Sequence, residues 1–342
     1  VKTRKAVLAV MVLALATSLF AATATINQPA ATVNLIRNKV ISYQELNEAI
    51  AAQGATDTQA LQVLDILINN EVFLQGAERD GVKVTDAQVN QIVSQQKASV
   101  EQQAGQKLTQ EQFEQVVNSQ YGTMDNFRKV MKEQYILQAY LIQEKGSELD
   151  AFNPDVTDAE ISSYYRKNQT SFTQAENVKL AHIYIEKTGD AKTDAANKAK
   201  LETACKEIQS GKTTFEAAVN KYSEDNDSKS VGGEIGWLTA DNTVAYQGWG
   251  ETFCDTVMSL PVGEVSSVLE SNTGYHIVRI SVHNDAKLLT LNDRLSPEVS
   301  TTVREYIREG LSYQKQQIKI AELLNEMVAS LRSQAKIRIL YK

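Results

Sequence analysis

The chain has 342 residues, of which 42% are hydrophobic and 23% charged: enough apolar material for two or three domains with cores of their own, and too ordinary a balance for a disordered or polytopic membrane protein. A net charge of −7 without any basic stripe argues against nucleic acid as the main partner. Three histidines and two cysteines, none at ligand spacing, give no sign of a metal site.

Residues 1–24 read as a signal peptide. VKTRK is a basic start, AVLAVMVLALA an apolar run, and Ala22-Thr23-Ala24 a small-x-small cleavage pattern. The run is shorter than the roughly 20 apolar residues that span a bilayer as a helix. The reading predicts export to a bacterial periplasm with no stable membrane span after cleavage, retention as an anchor being the alternative. In that compartment Cys205 and Cys254 are able to pair, but their spacing leaves a disulfide open.

After a low-complexity stretch through Ala31, VNLIRNKVIS alternates like a hairpin turning at Arg37-Asn38. Ser42 with Glu45 predicts a capping box, and Thr85, Thr109 and Thr123 each precede an apolar stripe, so residues from about 42 to 146 are expected to be mostly helical. Asn153-Pro154 interrupts, and Thr157 caps a connecting helix assigned to residues 156–175.

Near Glu176 the character changes. VKLAHIYIE is strand-like, helices are expected through about residue 209 and over Phe215–Tyr222, and strand pattern returns at 233–238 and 264–282. Between them YSEDNDSKSVGGEIGW is a polar surface loop that ends in glycines wherever positive φ or close backbone approach is needed. From Val299 the chain is helical again, with Ile320, Leu323, Leu324, Met327, Val328 and Leu331 on one face, and KIRILY closes in alternation. The expected class is therefore α+β: a mostly helical domain built from residues 25–155 and 285–342, with an α/β module of a small antiparallel sheet and surrounding helices inserted at 176–284. VNLI and KIRILY are expected to pair, burying the C-terminal stripe against Leu61, Leu64, Leu67 and Ile68.

VKLAHIYIE, FEAAVNKYSEDNDS, GGEIGW, LPVGEVSSVLES and TGYHIVRI, in that order, resemble the parvulin family of peptidyl-prolyl isomerases. VNLIRNKVIS with LDILINNEVFLQGAERDGVKVTD, and TVREYIREG with the long helix after it, resemble the chaperone segments of SurA- and PrsA-type exported foldases. Carried over residue by residue, the resemblance implies His182 and His276 as the paired histidines, Asp225 at the position of a family cysteine or aspartate, and Thr273 as a hydroxyl beside the second histidine. It implies Ile235 and Phe253 as the lining of the proline pocket. LTADNTVAYQGWGET departs from the pattern: Thr243 or Val244 stands nearest a wall position often held by methionine, while Tyr246 and Trp249 fall in an apparent insertion. Val244 and Trp249 are accordingly taken as substrate-binding, and the basic cluster of phospho-specific parvulins is missing.

The activity implied is cis/trans isomerisation of X-Pro bonds without metal or organic cofactor, on unfolded or nascent exported and outer-membrane proteins. The alternative is a chaperone whose parvulin module binds clients without turnover; a scaffold or adhesin unrelated to folding is weaker. Each site residue also has an architectural reading. Strand histidines are often satisfied structural groups, Asp225 sits among other polar turn residues, and Phe253 and Ile235 are core on any view. Oligomeric state is left open by the sequence.

Overall fold

The computed structural model describes residues 28–342, so the leader expected at residues 1–24 lies outside the described residues. The chain divides into two compact units, one formed by the part up to Asp155 together with Ser312–Lys342, the other by Val156–Leu311.

The first unit begins with the hairpin β1 (Pro29–Asn34) and β2 (Asn38–Ser42). The strand starts earlier than its alternation suggested because Ala30, Ala31 and Val33 are wholly buried, and the turn is Leu35–Arg37, since Asn38 already pairs with Asn34. What fixes that turn is Gln75, a fully buried side chain whose Oε1 accepts the amides of Leu35, Ile36 and Arg37 at 2.9, 3.1 and 3.4 Å. Five helices follow: α1 (Tyr43–Ala52), α2 (Ala60–Arg79), α3 (Asp86–Ala104), α4 (Gln110–Tyr121) and α5 (Met124–Ala151). Ser42–Glu45, Thr85–Gln88 and Thr109–Gln112 form reciprocal capping boxes, satisfying amides that a helix start leaves without intrahelical partners. α5 runs past residue 146 and stops just before Asn153-Pro154. Phe113, Val117, Phe127 and Met131 form a small separate core among α3, α4 and α5.

The second unit comprises α6 (Asp158–Lys167), β3 (Thr173–Gln174), β4 (Asn177–Glu186), α7 (Ala191–Gln209), α8 (Phe215–Tyr222), α9 (Asn226–Lys229), β5 (Glu234–Thr239), α10 (Thr243–Trp249), α11 (Glu251–Met258), β6 (Leu269–Glu270), β7 (Gly274–Asn284) and β8 (Lys287–Leu288). Its antiparallel sheet has the order β5-β4-β7-β6. Alternation along β4 and β7 sends Ile183, Ile185 and Ile277 to one face, against Leu201, Phe215 and Val219 of α7 and α8. Val178, Leu180 and Ile280 go to the other, against Phe253 and Val257 of α11. Cys205 belongs to the first core and Cys254 to the second; both are buried free thiols on opposite sides of the sheet, which settles the disulfide question against pairing.

Residues 285–311, expected with the N-terminal segment, belong instead to this second unit. Leu289, Val303 and Ile307 bury with Ile161 and Phe172, and β8 pairs with β3. The long helix α12 (Val303–Gln334) and strand β9 (Lys336–Ile339) end the chain. From Ser312 onward they complete the first unit. β9 pairs antiparallel with β1, Ala31 opposite Ile339 and Asn34 opposite Lys336, giving a sheet of order β2-β1-β9. Ile320, Leu323, Met327 and Leu331 bury with Leu64, Ile68 and Val72, each side chain contributing roughly 1.5–3 kcal/mol before entropy is counted. Leu61, expected in that seam, is instead 57% exposed, on the outer face of α2. Among the described residues no helix is long and apolar enough to cross a membrane.

Candidate active site

His182 on β4 and His276 on β7 come from neighbouring antiparallel strands. The register sets Tyr184 opposite His276 and His182 opposite Val278, so the histidines are diagonal neighbours on one face. Their Nδ1 atoms are 3.2 Å apart, and the side chains are buried, His276 at 1% exposure.

Asp225 reaches them from a loop. Ser223 Oγ accepts the Tyr184 amide and the Glu224 amide donates to the Tyr184 carbonyl, so residues 223–225 lie along β4. Asp225 then caps α9, accepting the Asp227 amide at 3.2 Å and the Ser228 hydroxyl at 2.5 Å, and its Oδ2 stands 2.9 Å from His182 Nε2. The polar run returns to the sheet through Gly232 and Gly233, with φ of 68° and 83°. Gly233 accepts the His182 amide at 2.8 Å, and a Cβ there would stand 2.4 Å from the His182 carbonyl oxygen. No side chain fits at Gly233, which is why the turn is so heavily punctuated by glycine.

These contacts fix the direction of every proton in the chain. An ionised Asp225 only accepts, so His182 Nε2–H donates to it. Neutral His182 then accepts at Nδ1 from His276 Nδ1–H, and His276 Nε2, left as an acceptor, takes the hydroxyl proton of Ser271 at 2.8 Å. Ser271 Oγ is itself held by the amides of Thr273 and Gly274, each at 3.1 Å. Electrostatics agree with this assignment. Burial pushes the His276 imidazole down to about 3, reinforced by His182 and Lys187, and burial lowers His182 against the pull of Asp225. Burial on its own would raise the Asp225 carboxyl, but hydrogen bonds from Ser228, His182 and Asp227 together bring it below the ordinary range. At neutral pH the site is an anion tied to two uncharged imidazoles.

An aromatic cluster adjoins the histidines, with the Phe253 ring itself buried at 3% exposure. The Phe253 ring lies 4.5 Å from that of His276, Trp249 meets Phe253 edge-on at 5.9 Å, and Tyr184 stacks on His182 at 5.6 Å. Ile235 and Tyr246 pack on the same cluster. Of the residues taken from sequence, His182, His276, Asp225, Phe253, Ile235 and Trp249 are thus brought together, and two are not. Val244 is 78% exposed on the outer side of α10; Trp249, at the end of that helix, stands against Phe253 in its place. Thr273 does not touch His276, because the turn aims Ser271 inward and leaves Thr273 exposed, 3.1 Å from Ser271 Oγ. Ser271, Tyr184 and Ser228 were missed. SNTGYH offers two aliphatic hydroxyls, Ser271 and Thr273, and only the folded turn chooses between them. The remaining histidine, His283, bonds Glu176. Among the described residues no cluster of three His, Cys, Asp or Glu side chains is placed to hold a metal.

Residues 163–284 match the PPIC-type PPIase domain family, and residues 2–141 match the SurA-like N-terminal domain family. The chain is 30% identical over 244 residues to the foldase protein PrsA of Clostridium kluyveri, covering 70% of this chain and 64% of that one. It is 26% identical over 311 residues to the chaperone SurA of Methylobacillus flagellatus, covering 87% and 63%. The chain thus spans a little under two thirds of the length of these curated relatives. Among solved structures, one from a study of PEB4 and Cj1289, described as SurA-like chaperones of Campylobacter jejuni, aligns with a TM-score of 0.36 and 16% identity over 90% of this chain and 99% of that one. A PrsA peptidylprolyl isomerase from Bacillus anthracis aligns with a TM-score of 0.28 and 18% identity over 79% and 97%.

Proposed function

We propose that this chain, which joins a SurA-like N-terminal domain to a PPIC-type PPIase domain and so belongs with the parvulin-bearing SurA and PrsA proteins, is an exported folding factor that binds unfolded client proteins and isomerises their X-Pro bonds. Export rests on the leader pattern of residues 1–24 and places the protein in the periplasm, with nascent exported and outer-membrane proteins as clients.

The observation that carries the isomerase reading is the single directed chain Ser271, His276, His182, Asp225 lying beside Phe253. An X-Pro bond faces a barrier of about 18–20 kcal/mol and turns over unaided in tens to hundreds of seconds. The barrier is lost amide resonance, so no nucleophile is required. A site lowers it by holding the proline ring and by complementing the charge distribution of the twisted amide better than that of the planar one. Phe253 and Ile235 are the ring's apolar floor. Asp225 supplies the fixed negative charge: its side chain keeps 22% exposure toward solvent, while His182 and Ser228 occupy Oδ2. The histidines serve as positioning residues. Being neutral and hydrogen-bonded at every ring nitrogen, they hold the carboxylate without cancelling its charge and without reorganising as the amide twists.

The test separates client binding from turnover. Full-length protein should accelerate the proline-limited refolding phase of an unrelated test protein and also suppress its aggregation. Asp225→Asn, which keeps the α9 cap, should lose at least about tenfold of the acceleration, the scale of one electrostatic group in a transition state, and keep the suppression. Equal acceleration by both proteins would remove Asp225 from the mechanism; suppression without acceleration by either would leave a chaperone whose parvulin domain only binds.

A further inference from the structure

We propose that Lys187 is the positioning residue that aims the Ser271 hydroxyl at His276; this deepens, and rests on, the isomerase reading above. Ser271 closes the hairpin between β6 and β7, its amide donating to the Gly274 carbonyl at 2.9 Å. Gly274 packs so tightly on β4 that a Cβ there would stand 2.4 Å from the Ile185 carbonyl oxygen, which fixes one side of the turn. Lys187, the first residue after β4, holds the other side. Its backbone amide donates to the Thr273 carbonyl at 3.0 Å, and its ammonium donates to the Ser271 carbonyl at 2.7 Å. The same ammonium pairs with Glu270 at 2.8 Å and lies 5.6 Å from the centre of the Tyr275 ring. One half-buried side chain thus grips the turn before, at and after Ser271.

That grip decides the direction of a proton. Besides His276 Nε2 at 2.8 Å, Ser271 Oγ has the Thr273 hydroxyl at 3.1 Å and the Gly274 carbonyl at 3.3 Å within reach. With the serine proton on the ring, Nε2 stays bare, so His276 donates through Nδ1 to His182 and His182 donates through Nε2 to Asp225. A serine that backs away and turns its hydroxyl to either competitor leaves Nε2 free to take the ring proton. His276 Nδ1 then becomes an acceptor, His182 has to donate at Nδ1, and its bare Nε2 meets the Asp225 carboxylate lone pair to lone pair. The far end of the chain thus depends on the near one. The charge of Lys187 works in the same direction, since a cation close to the buried His276 ring disfavours a second proton on it.

The test uses full-length protein carrying ¹⁵N-labelled histidine, whose ring resonances report the tautomer of His276, and exchange NMR on an Ala-Phe-Pro-Ala peptide to read kcat and KM separately. The unsubstituted protein should show Nδ1–H and a bare Nε2 at His276. Lys187→Met, which keeps the stem and removes the donors and the charge, should bring in the Nε2–H form and lower kcat roughly two- to tenfold, the worth of one hydrogen bond, with KM changed less than about twofold. Lys187→Arg, still a cationic donor, should restore both. Glu270→Gln removes only an exposed ion pair and should alter neither. A His276 ring pattern unchanged in Lys187→Met overturns the proposal, even where tryptophan-detected unfolding shows the second unit destabilised, because Lys187 is then structural alone. A pattern changed as much in Lys187→Arg as in Lys187→Met also overturns it. Should the unsubstituted protein turn over no peptide, the isomerase reading fails by itself, and the ring pattern still decides whether Lys187 aims Ser271.

Discussion

Replacing Gln75 by Leu isolates the device that holds the first hairpin to α2. The substitution keeps volume and buries no new polar group, yet it removes the one acceptor shared by the amides of Leu35, Ile36 and Arg37 and the donor to Glu71 at 2.7 Å. Two of the three amide bonds are good, at 2.9 and 3.1 Å, and the third is marginal at 3.4 Å. The turn is partly open to water, so its amides are rehydrated rather than orphaned, and the appropriate figure per bond is about 0.5–1.5 kcal/mol. With the Glu71 bond the expected loss is roughly 2–3 kcal/mol in the first unit. Both tryptophans belong to the second unit, so fluorescence will not report it. Hydrogen exchange in urea will: protection at Leu46, Leu64 and Ile68 should fall by that amount, with the amides of the Val178–Ile185 strand unaffected. A loss below about 0.5 kcal/mol would show that the turn holds without Gln75 and that its burial is incidental to the hairpin.

Gly233→Ala should cost the second unit well over 2 kcal/mol, because the new Cβ meets the His182 carbonyl, whereas Gly236→Ala, with no neighbour within 4 Å, should cost only the roughly 1–2 kcal/mol of a left-handed alanine; equal costs in tryptophan-detected unfolding would refute the packing account. Acid should weaken the same unit early. His276 falls from an ordinary 6.5 to about 3 in the folded state, so below pH 6.5 the unfolded chain binds a proton the folded one refuses, and stability drops with pH across that window. The loss should be on the order of 2 kcal/mol by pH 5 for His276 alone, and a flat profile between pH 6.5 and 5 would mean the pair is not neutral and buried. Deleting Ser312–Lys342 removes β9 and the buried Ile320, Leu323, Met327 and Leu331, on the order of 6–12 kcal/mol by area and comparable to a whole domain's stability. The remainder of the first unit should then lose exchange protection while Val156–Leu311 keeps it, and joint melting of both would refute the independence of the units.

Signals confined to a few residues were legible in the sequence. Capping boxes need only i and i+3, so the starts of α1, α3 and α4 could be read directly, and period-two alternation in VNLI and KIRILY foretold the pairing of β1 with β9 across nearly the whole chain. The histidines and Asp225 were reached through motif resemblance, since nothing local says that residues 94 apart will share a hydrogen bond. Properties that depend on which way a side chain turns were not legible. Ser271 and Thr273 are equivalent hydroxyls until the turn aims one inward; Val244 and Trp249 occupy one short helix whose exposed face no apolar period reveals; Gln75 reads as one more polar residue in a glutamine-rich chain. The boundary after residue 284 was misplaced because Leu289, Val303 and Ile307 are too sparse to announce a core before Ile161 and Phe172 join them.

Rotation about X-Pro bonds at the proposed site is tested, without a coupling protease, by magnetisation exchange between the cis and trans forms of an Ala-Phe-Pro-Ala peptide. Unaided exchange takes tens of seconds or more and gives no cross-peaks on a mixing time of about a second. Catalytic amounts of the full-length protein should produce them, and Asp225→Asn should remove most of their intensity. Cross-peaks absent even at stoichiometric protein, under conditions where the peptide is shown to bind, would contradict the account.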